Sequence, residues 1–425
     1  MKKFLKRRFA FAAVALLMCI TVFAGCSTND TTEIEEEEEA EVQTLTVADE
    51  EYYKRFYDDD ISINVYNWGE YISDGSDDGT LNVNAEFTNL TGIKVNYTNY
   101  ATNEELYAKL KGGGASYDII IPSDYMISRM IKEEMVLPLD MDNIPNYKYI
   151  GEAYKNQAFD PENEYSVPYF WGTVGIIYDT TLIEEENIDW DILWNEDYAD
   201  RILMFDNPRD AFAIAELRLG YSLNTEDEKE LEEAAELLKE QKKVVQAYVM
   251  DEIFDKMGAG EALIAPYYAG DAVTLMAEYE DLGFVIPESG TNLFIDGICI
   301  PKGAKQKEAA EMYINFLCEP DIAYSNTYYV GYSTPNTAAY EMLDEETKND
   351  GISYLPDEYL MSNTTVFRNL SDEANQKMQD LWTELKSTQS ETKNKWLVPA
   401  FMLVCVIMSI TILIMRYIKK KKDIF

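Results

Sequence analysis

Between about Ile61 and Ile286, short apolar runs alternate with stretches of helical spacing, and this alternation limits the fold more than any other feature of the chain. IKVNY (93–97) and YDIII (117–121) are too short for buried helices and rich in β-branched or aromatic residues, so they read as strands. Further strands are expected at 167–178, 202–205, 262–268 and 283–286. Helical spacing falls between them at 103–110, 211–219, 228–239 and 271–279. Strands and helices in alternation predict an α/β architecture built mainly on parallel sheets. The stretch is too long for one comfortable sheet, so two lobes with a ligand cleft between them are expected.

The strand that opens the series, INVYNWGEY (63–71), runs into Trp68, Gly69, Glu70 and Tyr71. Residues at the carboxyl end of a strand in an α/β sheet face the crevice where ligands bind. An indole and a phenol beside a carboxylate suit an ammonium ion, which needs a counter-charge and a π-face together. On those nine residues alone, a core tryptophan and a solvated glutamate would explain the pattern as well. The pairing then recurs near other strand ends. Ser123, Asp124 and Tyr125 follow 119–121, and DNPRD (206–210) follows 202–205. Tyr268 and Asp271 share YYAGD, Phe294 and Asp296 share LFIDG, and Tyr332 lies in VGYSTPN. Asp124 and Asp206 read equally well as helix caps, but repetition at so many strand ends favours one shared site.

Charge narrows the partners. Against 78 acidic residues stand 36 basic ones, a formal charge of −42, which disfavours nucleic acid and anionic membrane surfaces and favours cationic ligands. The chain has no histidine, which removes Ser-His-Asp and Cys-His catalysis and histidine-ligated metals together. Cys19, Cys26 and Cys405 lie in or beside apolar terminal segments, leaving Cys299 and Cys318 for at most one disulfide in the body. Asp74 to Gly79 begins like a calcium loop, but Ala85 stands where the bidentate glutamate is required, so a turn is expected. Gly112 to Gly114 lacks a following Gly-Lys-Ser/Thr and reads as a helix cap and loop. Neither cofactor nor metal is expected. A carboxylate-pair glycosidase would need two acids set across a sugar site, and the spread of the acids argues against it. A structural or adhesive protein would need no enclosed polar cleft.

The termini read as targeting segments. MKKFLKRR precedes an apolar run at 9–23 that ends in VFAGC, a secretory signal whose ending resembles the lipobox of bacterial lipoproteins. That resemblance implies removal of 1–25 and acylation of the Cys26 thiol. Residues 26–60, with the acidic run Glu35 to Glu39, are expected to be a disordered tether. The apolar stretch 396–418 is long enough to cross a bilayer. Its basic flank and tail (419–425) place the C-terminus in the cytoplasm and the body outside.

In order and spacing, YNWGEY, PSDYM, VPYFWGT, DNPRDAF, YYAGDA, FIDGICIP and VGYSTPN resemble the spermidine/putrescine-binding proteins of polyamine ABC importers, over about 61–378. The resemblance implies a two-lobed, periplasmic-binding-protein-like (type II) fold across 61–390 that encloses a polyamine in its interlobe cleft. Lobe 1 would comprise about 61–175 and 296–390, and lobe 2 about 176–295. It also implies a monomeric carrier, not an enzyme, that delivers its ligand to an ABC permease in the cell membrane. Carried over residue by residue, Trp68, Glu70 and Tyr71 match the first aromatic–carboxylate group, and Ser123 and Tyr125 the second loop. Asp210 matches a carboxylate holding one terminal amine, Asp296 the central carboxylate, and Tyr332 a wall aromatic. Asn207 replaces a second carboxylate of spermidine binders, Tyr268 and Phe294 replace tryptophans, and Asp271 resembles putrescine-preferring members. Ligand length therefore stays open between putrescine and spermidine, with another cationic or zwitterionic solute as the alternative.

Overall fold

The structure, a computed structural model, describes residues 45–387 apart from 78, 115 and 185–187. In chain order the strands are β1 (Ser62–Trp68), β2 (Lys94–Tyr100), β3 (Ile119–Ile120), β4 (Ser166–Asp179) and β5 (Ile202–Phe205). They continue with β6 (Val245–Val249), β7 (Ile264–Tyr268), β8 (Leu282–Val285), β9 (Thr291–Cys299) and β10 (Thr364–Val366). Hydrogen bonds join them in the order β2-β1-β3-β9-β4-β7-β5-β6, with β10 on β9 and β8 on β4. Each end of this series is the sheet of one lobe. The strand β4 links the two: Ser166 to Thr173 pair with β9, whereas Val174 to Asp179 pair with β7 and β8.

Two lobes on an α/β plan are therefore present, but the sheets are mixed rather than mainly parallel. β1 is parallel to β2 and β3, and β5 to β6 and β7. The strands that pass between lobes run against most of their neighbours: β9 is antiparallel to β3 and β4 though parallel to β10, and β4 is antiparallel to β7 and β8. A strand entering from the other lobe arrives against the local strand–helix–strand direction. Sequence could not show this, because β4 is buried on both faces and has no alternation to read.

Each lobe has its own core. In lobe 1, Ile63 and Val65 of β1 pack with Phe87, Ile119 and Phe316. In lobe 2, Phe205, Ile264 and Trp190 pack with Phe212 and Leu238 from two helices. Fully burying such a side chain contributes about 1.5–3 kcal/mol. The helix Pro208–Leu219 starts earlier than its apolar spacing suggested because Asn207 caps it, Pro208 fits its first turn, and Gly220 at φ 73° ends it.

Two chain ends depart from expectation. The acidic tether was placed at 26–60, yet Leu45 and Val47 already pack on the lobe 1 core. Asp49 caps a short helix, Glu50–Tyr53, whose Tyr53 is fully buried and donates to Glu319 Oε1 at 2.7 Å. The acid count masked the apolar Tyr52, Tyr53 and Phe56. At the other end, 296–390 does not all belong to lobe 1: β10 carries the chain back and helix Asp372–Ser387 packs on lobe 2. Ala374, Met378, Trp382 and Leu385 form its buried stripe in the lobe 2 core, and Lys377 pairs with Glu228 and Glu232. Cys299 and Cys318 are buried free thiols. Cys26 and the apolar segments 9–23 and 396–418 lie outside the described residues, among which no helix is long and apolar enough to cross a membrane.

Candidate functional site

The strand ends converge on one cleft between the lobes. It holds about 670 Å³ of empty space, a figure that includes volume open to solvent. Lobe 1 contributes Trp68, Glu70 and Tyr71 from the end of β1, Ser123 and Tyr125 from the start of helix Asp124–Lys132 after β3, and Tyr332. Lobe 2 contributes Asp210, Tyr268 and Asp271, while Phe294 and Asp296 come from the linking strand β9. Asn207 is the exception. It lies behind Asp210, where its Oδ1 accepts from Asp210 N at 3.3 Å and its amide donates to the Asp210 carboxylate, so it orients that acid without lining the cleft.

Three of the acids are held the same way. Tyr71 Oη donates to Asp296 Oδ2 at 2.6 Å, Tyr268 Oη to Asp210 Oδ2 at 2.8 Å, and Tyr332 Oη to Asp271 Oδ2 at 2.8 Å. Burial is the main reason the carboxyls rise, Asp296 and Asp210 to about 6 and Asp271 to about 7. Burial and the neighbouring acids also push the three phenols well above their usual range, so they remain protonated donors. Asp296 is only 4% exposed, and its second oxygen, Oδ1, is buried without a hydrogen bond of ordinary length among the described residues, although the Ser123 hydroxyl also lowers this carboxyl. An acceptor left open in that way normally costs stability. Five carboxylates line the cleft, and no lysine or arginine does among the described residues.

Aromatic faces separate the acids. Phe294 lies 5.5 Å from Tyr268 and 6.0 Å from Tyr332 between ring centroids, so it fills the wall between Asp210 and Asp271. Trp68 Nε1 donates to Ile121 O at 2.8 Å and its ring packs on Tyr100, which fixes the indole at the rim. Gly270 is required by this packing: a Cβ there would meet the Tyr332 ring at 2.0 Å. Of the other acids singled out in the sequence, Asp124 accepts from Tyr125 N and Ile295 N and ties its helix to β9. Asp206 pairs with Lys386. Neither lines the cleft.

Several lining residues escaped the sequence reading, among them Asn103, Met250, Asp251, Phe254 and Phe367. Asp251 lies just past β6, so the strand-end rule would have found it had VVQAYV been read as a strand. Phe367 carries no local signal; it arrives with the return of the chain after β10. Among the described residues, no group of three or more Cys, Asp or Glu is arranged to hold a metal ion.

Comparison with known proteins gives a consistent result. Residues 115–363 match the model of the bacterial extracellular solute-binding protein family. The spermidine/putrescine-binding periplasmic protein of Salmonella typhimurium is 37% identical over 306 residues, covering 72% of this chain and 86% of the relative. Among solved structures, the spermidine/putrescine ABC transporter substrate-binding protein PotD from Streptococcus pneumoniae is 38% identical with a TM-score of 0.63, covering 77% of this chain and 98% of that one. The TpPotD lipoprotein of Treponema pallidum is 27% identical with a TM-score of 0.66, covering 76% and 99%.

Proposed function

The chain belongs to the bacterial extracellular solute-binding protein family, and on that footing we propose that it captures a linear polyamine outside the cell and delivers it to an ABC permease. It is a binding protein and not an enzyme. The observation that carries the reading is Asp296: a carboxylate enclosed among aromatic faces, with one oxygen open to a further donor and, among the described residues, no basic side chain lining the cleft. A protonated amine supplies what that oxygen lacks, and methylenes between amines suit the walls of Phe294, Tyr268 and Trp68. Asp210 and Asp271 receive further ammonium groups, and Glu70, Ser123, Tyr125 and Tyr332 complete the enclosure. The names of the relatives support spermidine and putrescine as the ligands.

Calorimetry with diamines, triamines, amino acids and sugars tests this. Polyamines alone should bind tightly; binding of a neutral sugar or an amino acid in their place overturns it. The carrier is anchored at the outer face of the cell membrane as a monomer, by acylated Cys26 and by 396–418, a reading supported by the lipobox-like VFAGC and by a lipoprotein among the relatives. An intact Met1 on the mature protein in mass spectra of membranes would remove the lipid anchor. Retention in the membrane after Cys26→Ala reports the second one.

A further inference from the structure

The mouth of the cleft carries an acid that the family motifs do not mark. Asp251 lies on lobe 2, at the N-cap position of helix Glu252–Gly258, yet its side chain caps nothing. It is turned across the cleft instead. A Cβ added to Gly69 would stand 2.3 Å from Asp251 Oδ2, so the carboxylate rests on the lobe 1 backbone where that glycine leaves room. The next residue, Glu70, holds a left-handed backbone at φ 45° and is exposed at the same rim. Asp271 lies close to both: after burial, the charges of Asp251 and Glu70 are what push its carboxyl up. Deeper in the same cleft, the buried Asp296 carboxylate keeps one oxygen, Oδ1, open to a further donor, as an ammonium end would supply.

Three carboxylates from two lobes thus meet at the mouth, with no cationic side chain lining the cleft among the described residues. Like charges brought together by closure repel, unless a cation lies between them. A primary ammonium presents three N–H donors, one for each acid, whereas an inner secondary amine presents two and an acylated end has no charge. We infer that Asp251 is a specificity-determining residue: with Glu70 and Asp271 it receives the outer terminal ammonium, so the cleft selects linear amines whose far end is a free primary amine. The inference rests on the polyamine reading above.

The test compares a free polyamine with its mono-N-acetyl derivative by calorimetry, using the full-length chain in detergent. Wild type should prefer the free amine by about tenfold or more, the scale of one lost charge contact. Asp251→Asn should weaken the free amine by about fivefold, in keeping with a partly solvated charge, and leave the acetylated ligand within about twofold. Its ligand-free melting temperature should hold or rise. Gly69→Ala, which displaces the carboxylate, should narrow the preference in the same way and add nothing to Asp251→Ala. Wild type that binds no polyamine overturns the function proposed above. Wild type that binds, with variants that lose both ligands equally or neither, overturns the role of Asp251 alone.

Discussion

Asp296 and Asp271 each accept a hydrogen bond from a tyrosine, but Tyr71 reaches Asp296 within lobe 1, whereas Tyr332 reaches Asp271 from the opposite lobe. The first bond joins lobe 1 to the linking strand β9, whereas the second crosses the cleft between the lobes. Burial differs in the same sense. Asp296 and Asp210 are enclosed, while Glu70 and Asp251 stand exposed around Asp271. On the proposed function, the inner acids would set affinity through desolvated charge contacts, and the outer acids would couple binding to closure.

The largest expected effect breaks the inner end. Asp296→Asn keeps shape but removes the enclosed charge, at about 2–5 kcal/mol or roughly 30-fold or more in polyamine affinity. Ligand-free stability should hold or rise, since an acid with a raised carboxyl has gone. A variant that binds normally yet melts several degrees lower would make Asp296 a structural acid and erase the distinction.

Acidification should weaken both ends. With carboxyls at about 6 for Asp296 and Asp210 and about 7 for Asp271, protons compete with ammonium groups as pH falls from 7.5 to 5.5. Affinity should drop by about tenfold or more over that range. The stability of the empty protein moves the other way. Between the ordinary carboxyl value and these raised ones, the native state holds more protons than the unfolded state. These groups therefore cost stability as pH rises through about 4 to 7. Calorimetric affinities that are flat with pH would show that the cleft acids do not need to ionise for binding.

Smaller effects sharpen the contrast. Tyr332→Phe removes the bond between lobes and should speed dissociation by about fivefold, near 1 kcal/mol, with little change in association. Tyr268→Phe removes a bond within lobe 2 and should change both constants less selectively. Equal kinetic profiles in stopped-flow traces would mean that Tyr332 does not report closure. The least effect concerns salt: with a formal charge of −42, association should slow by about two- to fivefold from low to moderate ionic strength, while dissociation changes little.

Local chemistry was legible in the chain, and paths between lobes were not. Strand-end aromatics and acids such as Trp68, Tyr125 and Asp271 announced themselves because each lies beside its own strand. Asn207 lies behind the cleft wall because an asparagine ahead of Pro208 caps its helix, which its neighbouring acids do not reveal. Phe367 and helix Asp372–Ser387 could not be placed, because nothing in their spacing says which of two cores their apolar stripe will cover. The antiparallel course of β4 and β9 was hidden for a related reason: a strand buried on both faces looks the same in either direction.

That last helix makes the body a two-ended instrument. The chain enters on lobe 1, where Leu45 and Tyr53 are packed, and leaves from lobe 2 at Ser387. A donor dye near residue 45 and an acceptor near 387 would read lobe closure directly, with no label near the cleft.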